Sequence, residues 1–274
     1  MVRARRICGS RAWKQERARS LGRPPVAPSV AVAEPLFAGS VYLADLRFLS
    51  PGASASVAPA DLQVVQEYLG RIAAPIQAYA SQYGPTRLHV GAPLPPLRVS
   101  LPGTHYSDAQ LQGWVDQLVG AQGLPPNAAV LVLNPPGVVN TDAQESGGVG
   151  VLGYHGLARV PYCFVNLPGS GLSVADGGDL FAEAVSHEVA EMTVDPRADD
   201  RNPEVCDGCG TNCQATAAYR AYFDASGAYL GTDTQFPPPF SYAFFLSAIA
   251  KPPAAADCPA PASACSYPPP VSAA

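Results

Sequence analysis

The sequence predicts an α/β fold. It expects a single domain with a mixed sheet and one chemistry-bearing helix, plus a loop-rich, cysteine-bearing C-terminal part. Three observations predict it. Short apolar runs of strand length alternate with segments of helical periodicity over the first two thirds of the chain. With 30 prolines and 25 glycines, the 274 residues are heavily punctuated by turns. Five of the seven cysteines fall after residue 205, where helical patterning stops.

The elements follow in order. Residues 1–36 form a basic, then proline-rich leader, "MVRARRICGSRAWKQERARS" followed by "PPVAPSVAVAEPLFAG". The charges are not followed by the apolar segment of about 7–15 residues that a signal peptide needs. The leader is expected to be a solvated, disordered tail, or the product of a start codon assigned too far upstream. The domain then runs over residues 37–250, and residues 251–274 are a Pro/Ala-rich tail. "SVYLADLRFL" (40–49) alternates and is rich in β-formers, so it reads as a strand. Between residues 58 and 84, Leu62, Val65, Leu69, Ile72 and Ile76 recur at helical spacing, with Asp61 as a cap and Pro75 as a point of kinking or division. "RLHVG" and "LPPLRVSLP" read as short strands. The stretch 107–123 is a second helix, capped by Ser107 or Asp108 and ended by Gly123. "AAVLVLNPPG" (128–137) is a buried strand bounded by proline. "GVGVLGYHG" (148–156) and "RVPYCFVNLPG" (159–169) lead into a third helix over about 179–194, which Pro196 stops. "AYRAYFDASGAYLG" (218–231) has the pattern of a hairpin around Ser226-Gly227, and "SYAFFLSAIA" (241–250) is a last strand. No internal repeat is present.

Charge narrows the function class. The net charge of −5 argues against a nucleic-acid partner, which would need a basic surface. No apolar run approaches the roughly 18 residues of a membrane span.

The third helix carries the chemistry. It reads "AEAVSHEVAEMTVDP" and holds His187, one of four histidines, with Glu188 and Glu191 one and four positions later. At 100° per residue, His187, Glu191 and Asp195 fall within about 80° of one another, with Glu188 at the edge of that face. Phe181, Val185, Val189 and Met192 gather on the opposite side. Ligands at i and i+4 can share one ion from adjacent turns, and here the HExxH pattern becomes HExxE. His187 and Glu191 are the expected ligands of one zinc ion per chain, with Glu188 as general base for a water that the ion activates. A strand, a glycine-bearing loop and then this helix is the order found in zincins. A catalytic zinc needs a third protein ligand. Asp207 and Glu204 in "NPEVCDGCG", Asp195 at the helix end, and His155 in "GYHG" are the candidates. His155 alternatively stabilises an oxyanion as a second catalytic group.

Cys206, Cys209 and Cys213 lie in "EVCDGCGTNC", and Cys258 and Cys265 follow. Disulfides of an exported protein are the favoured reading. A structural zinc site built on the CxxC is the other, weakened by the lack of a second CxxC or a following histidine.

"GYHG", "YCFVNL", "AVSHEVAEMTVDP", "EVCDGCG" and "YFDASGAYLG", in this order, resemble the phosphate-induced protein/EXORDIUM-like family, in particular its microbial members with an HExxE segment. The resemblance spans roughly residues 40–250. It matches Asp207 to the acid that precedes the family's cysteine, and Cys209 to that cysteine. Leu152 stands where the family often has cysteine, and "TVDP" replaces "TDP". The resemblance implies a zincin-like α/β fold and an extracellular setting, and its match at Asp207 makes His187, Glu191 and Asp207 the expected set of metal ligands. The functional expectation is a zinc-dependent, metallopeptidase-like hydrolase acting on a peptide or cell-envelope substrate. The alternative is a non-catalytic secreted EXORDIUM-like protein of the cell envelope or of signalling, since the family includes members without the His/Glu pair.

Overall fold

A computed structural model describes residues 32–81, 83–143, 152–167, 178–199 and 201–202, and the strand segments 220–223, 229–232 and 242–245. The protein is α/β with a mixed sheet. Five strands, β1 (Ala38–Ala44), β4 (Arg87–Val90), β7 (Ala128–Asn134), β9 (Gly153–Leu157) and β10 (Pro161–Asn166), form the main sheet in the order β4-β1-β7-β10-β9. All neighbours are parallel except the last pair, in which β9 runs antiparallel to β10. Central strand β7 is buried along its whole length, which is why its sequence is a continuous apolar run rather than an alternating one.

Helices cover both faces. α1 (Pro59–Ala80) and α3 (Gly178–Val194) share a core with Leu131, Leu133, Cys163 and Val165 on one side of the sheet. α2 (Asp108–Gln122) packs on the other side with Val130, Val132, Tyr162 and Phe164. Residues of β7 and β10 thus alternate between two cores, as the pleat requires. Val185, Val189 and Met192 of α3 are fully buried in the first core, and α3 packs on β10.

Local chemistry explains the elements. Ser107 caps α2 in a reciprocal capping box with Gln110, and Gly123 closes it in the left-handed conformation at φ 60°. α1 runs unbroken through Pro75, although proline removes one intrahelical hydrogen bond. Ile72 and Ile76, both fully buried on either side of it, hold the helix to the sheet. The 40–49 segment is two strands rather than one. At Asp45 the chain leaves the main sheet, and β2 (Leu46–Ser50) pairs with β3 (Ala53–Ser56) and β5 (Leu97–Ser100) in a second sheet. Two short strands, β6 (His105–Tyr106) and β8 (Val139–Asn140), pair in parallel.

Near the C-terminal end of the chain, β11 (Arg220–Phe223), β12 (Tyr229–Thr232) and β13 (Tyr242–Phe245) form a three-stranded antiparallel sheet in the order β12-β11-β13, and β13 runs beside α3. The residues that join β11 to β12, the leader to residue 31 and the Pro/Ala-rich tail lie outside the described residues.

One clamp ties residues 33 and 34 to residue 202. The side-chain oxygen of buried Asn202 accepts from the backbone N–H groups of Ala33 and Glu34, and its amide donates to the carbonyls of Glu34 and Val194. The Phe37 N–H donates to the Thr193 carbonyl at 2.9 Å. The C-terminal end of α3 is thereby fixed to the strand that enters β1.

Candidate metal centre

The sequence of β9 is G-Y-H-G-L, and its pleat assigns the residues to opposite faces. Tyr154 points into the core under α2, and His155 faces α3. Gly153 shares the His155 face. A Cβ at Gly153 would lie 2.8 Å from Glu188 Cγ, 2.9 Å from Glu188 Oε1 and 3.1 Å from the Phe164 carbonyl oxygen. The missing side chain lets the strand approach the helix closely enough for His155 to reach its acids.

From α3, Glu188 and Glu191 meet this ring. His155 Nδ1 lies 3.7 Å from Glu188 Oε2 and 3.6 Å from Glu191 Oε2. His187 Nε2 lies 3.5 Å from the same Glu191 oxygen. One ligand atom each from His155, Glu188 and Glu191 fall within 4.8 Å of one another. This buried triad could hold a metal ion. Donors bound at 2.0–2.2 Å around a tetrahedral ion stand about 3.4 Å apart, so separations of 3.6 and 3.7 Å need only small adjustments. Glu188 Oε2 is buried and accepts no hydrogen bond among the described residues, an expensive state for a carboxylate oxygen that a cation would relieve.

The helix does not present a wet face. From Ala184 onward, Ser186, Glu188, Glu191, Thr193 and Asp195 are each 1% exposed or less, and only His187 has appreciable solvent contact, at 14% of its side chain. Burial is the main force on Glu188 and pushes its carboxyl above the ordinary range, with the Glu191 charge adding to the rise and the neighbouring imidazoles of His155 and His187 opposing it.

Comparison with family models, with curated proteins and with solved structures gives no match.

The arrangement redistributes the expected roles. Glu191 is central, as its spacing from His187 implies. Glu188, expected as general base, is placed among the possible ligands. His155, expected as a third ligand or an oxyanion group, becomes the imidazole of the buried triad. His187, expected as the first ligand, flanks Glu191 on the solvent side and is not part of the triad. The reason is where β9 lies. Around the helix Glu191 sits between His187 and Glu188, and β9 approaches on the Glu188 side. Asp195 is buried at the helix end and is not part of the triad; its N–H donates to the Glu191 carbonyl at 2.6 Å and its carbonyl accepts from the Ala198 N–H. Asp207, Glu204 and the five C-terminal cysteines lie outside the described residues, as does Cys8.

Cys163 is a free, buried thiol. It sits directly across the ladder from His155, and its Sγ–H donates to the Glu188 backbone carbonyl at 3.4 Å. Burial, with the two carboxylates of Glu188 and Glu191 close by, pushes its ionisation far up, so it stays a thiol. Neither Cys163 nor Gly153 stood out in the sequence. Alternation along "GYHG" was the one signal that bore on Gly153.

Proposed function

We propose that this protein holds one divalent first-row cation, zinc by its donor set, through His155, Glu188 and Glu191, and that it is a hydrolase of peptide or amide bonds. The observation that carries the reading is the convergence of three buried ligand residues from two elements, one of them, Glu188, with a buried carboxylate oxygen that accepts no hydrogen bond among the described residues. One imidazole and two carboxylates suit zinc, and together they balance its charge. Such an ion polarises a carbonyl and makes water nucleophilic near neutral pH. His155, on the edge strand, and the two glutamates, one helical turn apart, orient it. His187 lies on the solvent side beside Glu191 and is the group positioned to accept a proton from an attacking water. The order of strand, loop and HExxE helix supports a zincin-like arrangement. The motif resemblance to the EXORDIUM-like family supports an extracellular setting, and the five cysteines after residue 205 support a loop-rich, disulfide-bearing C-terminal part.

One observation favours a second reading. Three of the four polar groups are almost wholly buried, which suits an ion bound for structure in a secreted, non-catalytic module of the cell envelope or of signalling.

Metal analysis of protein purified without chelators tests both. The wild type should carry about one zinc per chain. His155→Ala and Glu191→Gln should lose it, and His187→Ala should keep it while losing hydrolysis of a peptide library by orders of magnitude. A wild type without metal refutes the metal reading. Loss of zinc in His187→Ala with retention in His155→Ala would restore His187, Glu191 and Asp207 as the ligand set. Bound zinc with no hydrolysis by the wild type leaves the structural reading.

A further inference from the structure

The two faces of β9 are held by different chemistry. On one, His155 meets the acids of α3. On the other, the Tyr154 hydroxyl donates to Asp108 Oδ1 and accepts from Asn140 Nδ2 at 2.7 Å. Asp108 is 1% exposed and stands in the first turn of α2. It also accepts from Tyr162 at 2.8 and 2.9 Å and from Gln112 at 2.8 Å, while its own N–H donates to Asp142. This is a buried carboxylate with its acceptor positions filled, anchored to a helix terminus and linked to β8 through Tyr154 and Asn140. Networks of this kind hold their members rigidly.

β9 is the last strand of the five-stranded order, so the main-sheet ladder fixes it from one side. Tyr154 is the residue immediately before His155. Consecutive side chains on a strand point to opposite faces, so a rotation of β9 about its axis swings both together. We propose that Tyr154, through Asp108 and Asn140, is a positioning residue for the metal centre: it fixes the roll of β9 and so the place of the His155 imidazole. The inference rests on the metal reading above. Outer groups that orient a ligating histidine usually bond its ring directly. Here the orientation comes through the backbone, from the opposite side of the sheet.

Tyr162 supplies the matched control. It donates to the same carboxylate from the neighbouring strand β10, and the residue after it, Cys163, is not in the triad. Tyr154→Phe and Tyr162→Phe each remove hydroxyl bonds to Asp108, so a purely structural role predicts similar effects. The experiment is titration of the chelator-stripped protein with zinc, and with cobalt for its visible absorption bands. Tyr154→Phe should bind zinc about 10-fold more weakly and shift the cobalt bands, whereas Tyr162→Phe should stay within about twofold of wild type with an unchanged spectrum. Equal losses in both variants, or no change in either, would overturn the proposal. If Tyr154→Phe does not fold, Asn140→Ser removes the amide donor to the same hydroxyl, and the serine hydroxyl can still accept from the Asp142 N–H that Asn140 Oδ1 binds. It should shift the cobalt bands in the same direction, and an unchanged spectrum overturns the proposal. A wild type that takes up neither zinc nor cobalt refutes the metal reading itself, an outcome distinct from an unmoved Tyr154→Phe.

Discussion

Replacing Gly153 with alanine tests the geometry of the centre through a single methyl group. The added Cβ would stand 2.8 Å from Glu188 Cγ, where ordinary contact begins at 3.4 Å, so the Glu188 side chain must retreat by 0.6 Å (3.4 − 2.8). The strand cannot yield instead, because the Phe164 carbonyl lies 3.1 Å away on the neighbouring strand. Overpacking of this kind costs about 1–3 kcal/mol, which lowers Tm by roughly 2–12 °C at 2–4 °C per kcal/mol for a domain of this size. The effect on metal is larger in proportion. Ligand distances tolerate about 0.2 Å, and a 0.6 Å retreat takes Glu188 out of reach of an ion shared with His155. Zinc affinity should fall by at least 10-fold. Thermal melts and zinc titrations on wild type, Gly153→Ala and Gly113→Ala separate the effects. A Cβ at Gly113, exposed on α2, meets nothing within 4 Å. That substitution should therefore stabilise by about 0.5–1 kcal/mol and leave zinc binding alone. A Gly153→Ala protein with wild-type Tm and wild-type zinc affinity would refute the close approach of β9 to Glu188.

Two further outcomes are expected. In the metal-free protein the folded state binds the Glu188 proton more tightly than the unfolded chain does, so this stabilising contribution is full below pH 4.5 and is lost as pH rises through the raised value. Denaturant titrations of chelated wild type and Glu188→Gln should diverge in that direction, with the variant gaining as pH rises; a constant difference across pH 4–8 counts against a buried, charged Glu188. Asn202→Ala removes four hydrogen bonds at a buried site and should destabilise by about 3 kcal/mol, read as a Tm fall of roughly 6–12 °C; a fall under 2 °C would mean that the clamp is not formed in solution.

Elements governed by local chemistry were legible in the chain. The S-x-x-Q box before α2, the glycine after it and the unbroken apolar run of β7 each state their structure within a few residues. The phase of α3 was legible too, since Val185, Val189 and Met192 must face a core. The split at Asp45 was not, because the alternation of 40–49 continues across it and only pairing with β5 draws the second half away. Pro75 misleads for a similar reason: its local penalty is outweighed by the burial of Ile72 and Ile76. At the site, the HExxE spacing pointed to the helix that carries the buried cluster and to Glu191 within it. It could not say whether the third partner approaches on the His187 or the Glu188 side, because that depends on a strand about thirty residues earlier in the chain.

The Asn202 clamp also bears on how the chain comes to fold as it is made. Ala33 and Asn202 are 169 residues apart, and the entrance to β1 acquires these partners only when the last of them has been synthesised. Closing so large a loop carries an entropic cost that local contacts do not offset at the time. β1, β4 and β7 can associate from the first half of the nascent chain, but the four Asn202 bonds that clamp the β1 entrance to the end of α3 cannot form until residue 202 has emerged. A ribosome-bound chain halted short of that point should therefore remain protease-sensitive around residues 33–37, and release of a further stretch long enough to clear the exit tunnel should make the same segment resistant in a single step.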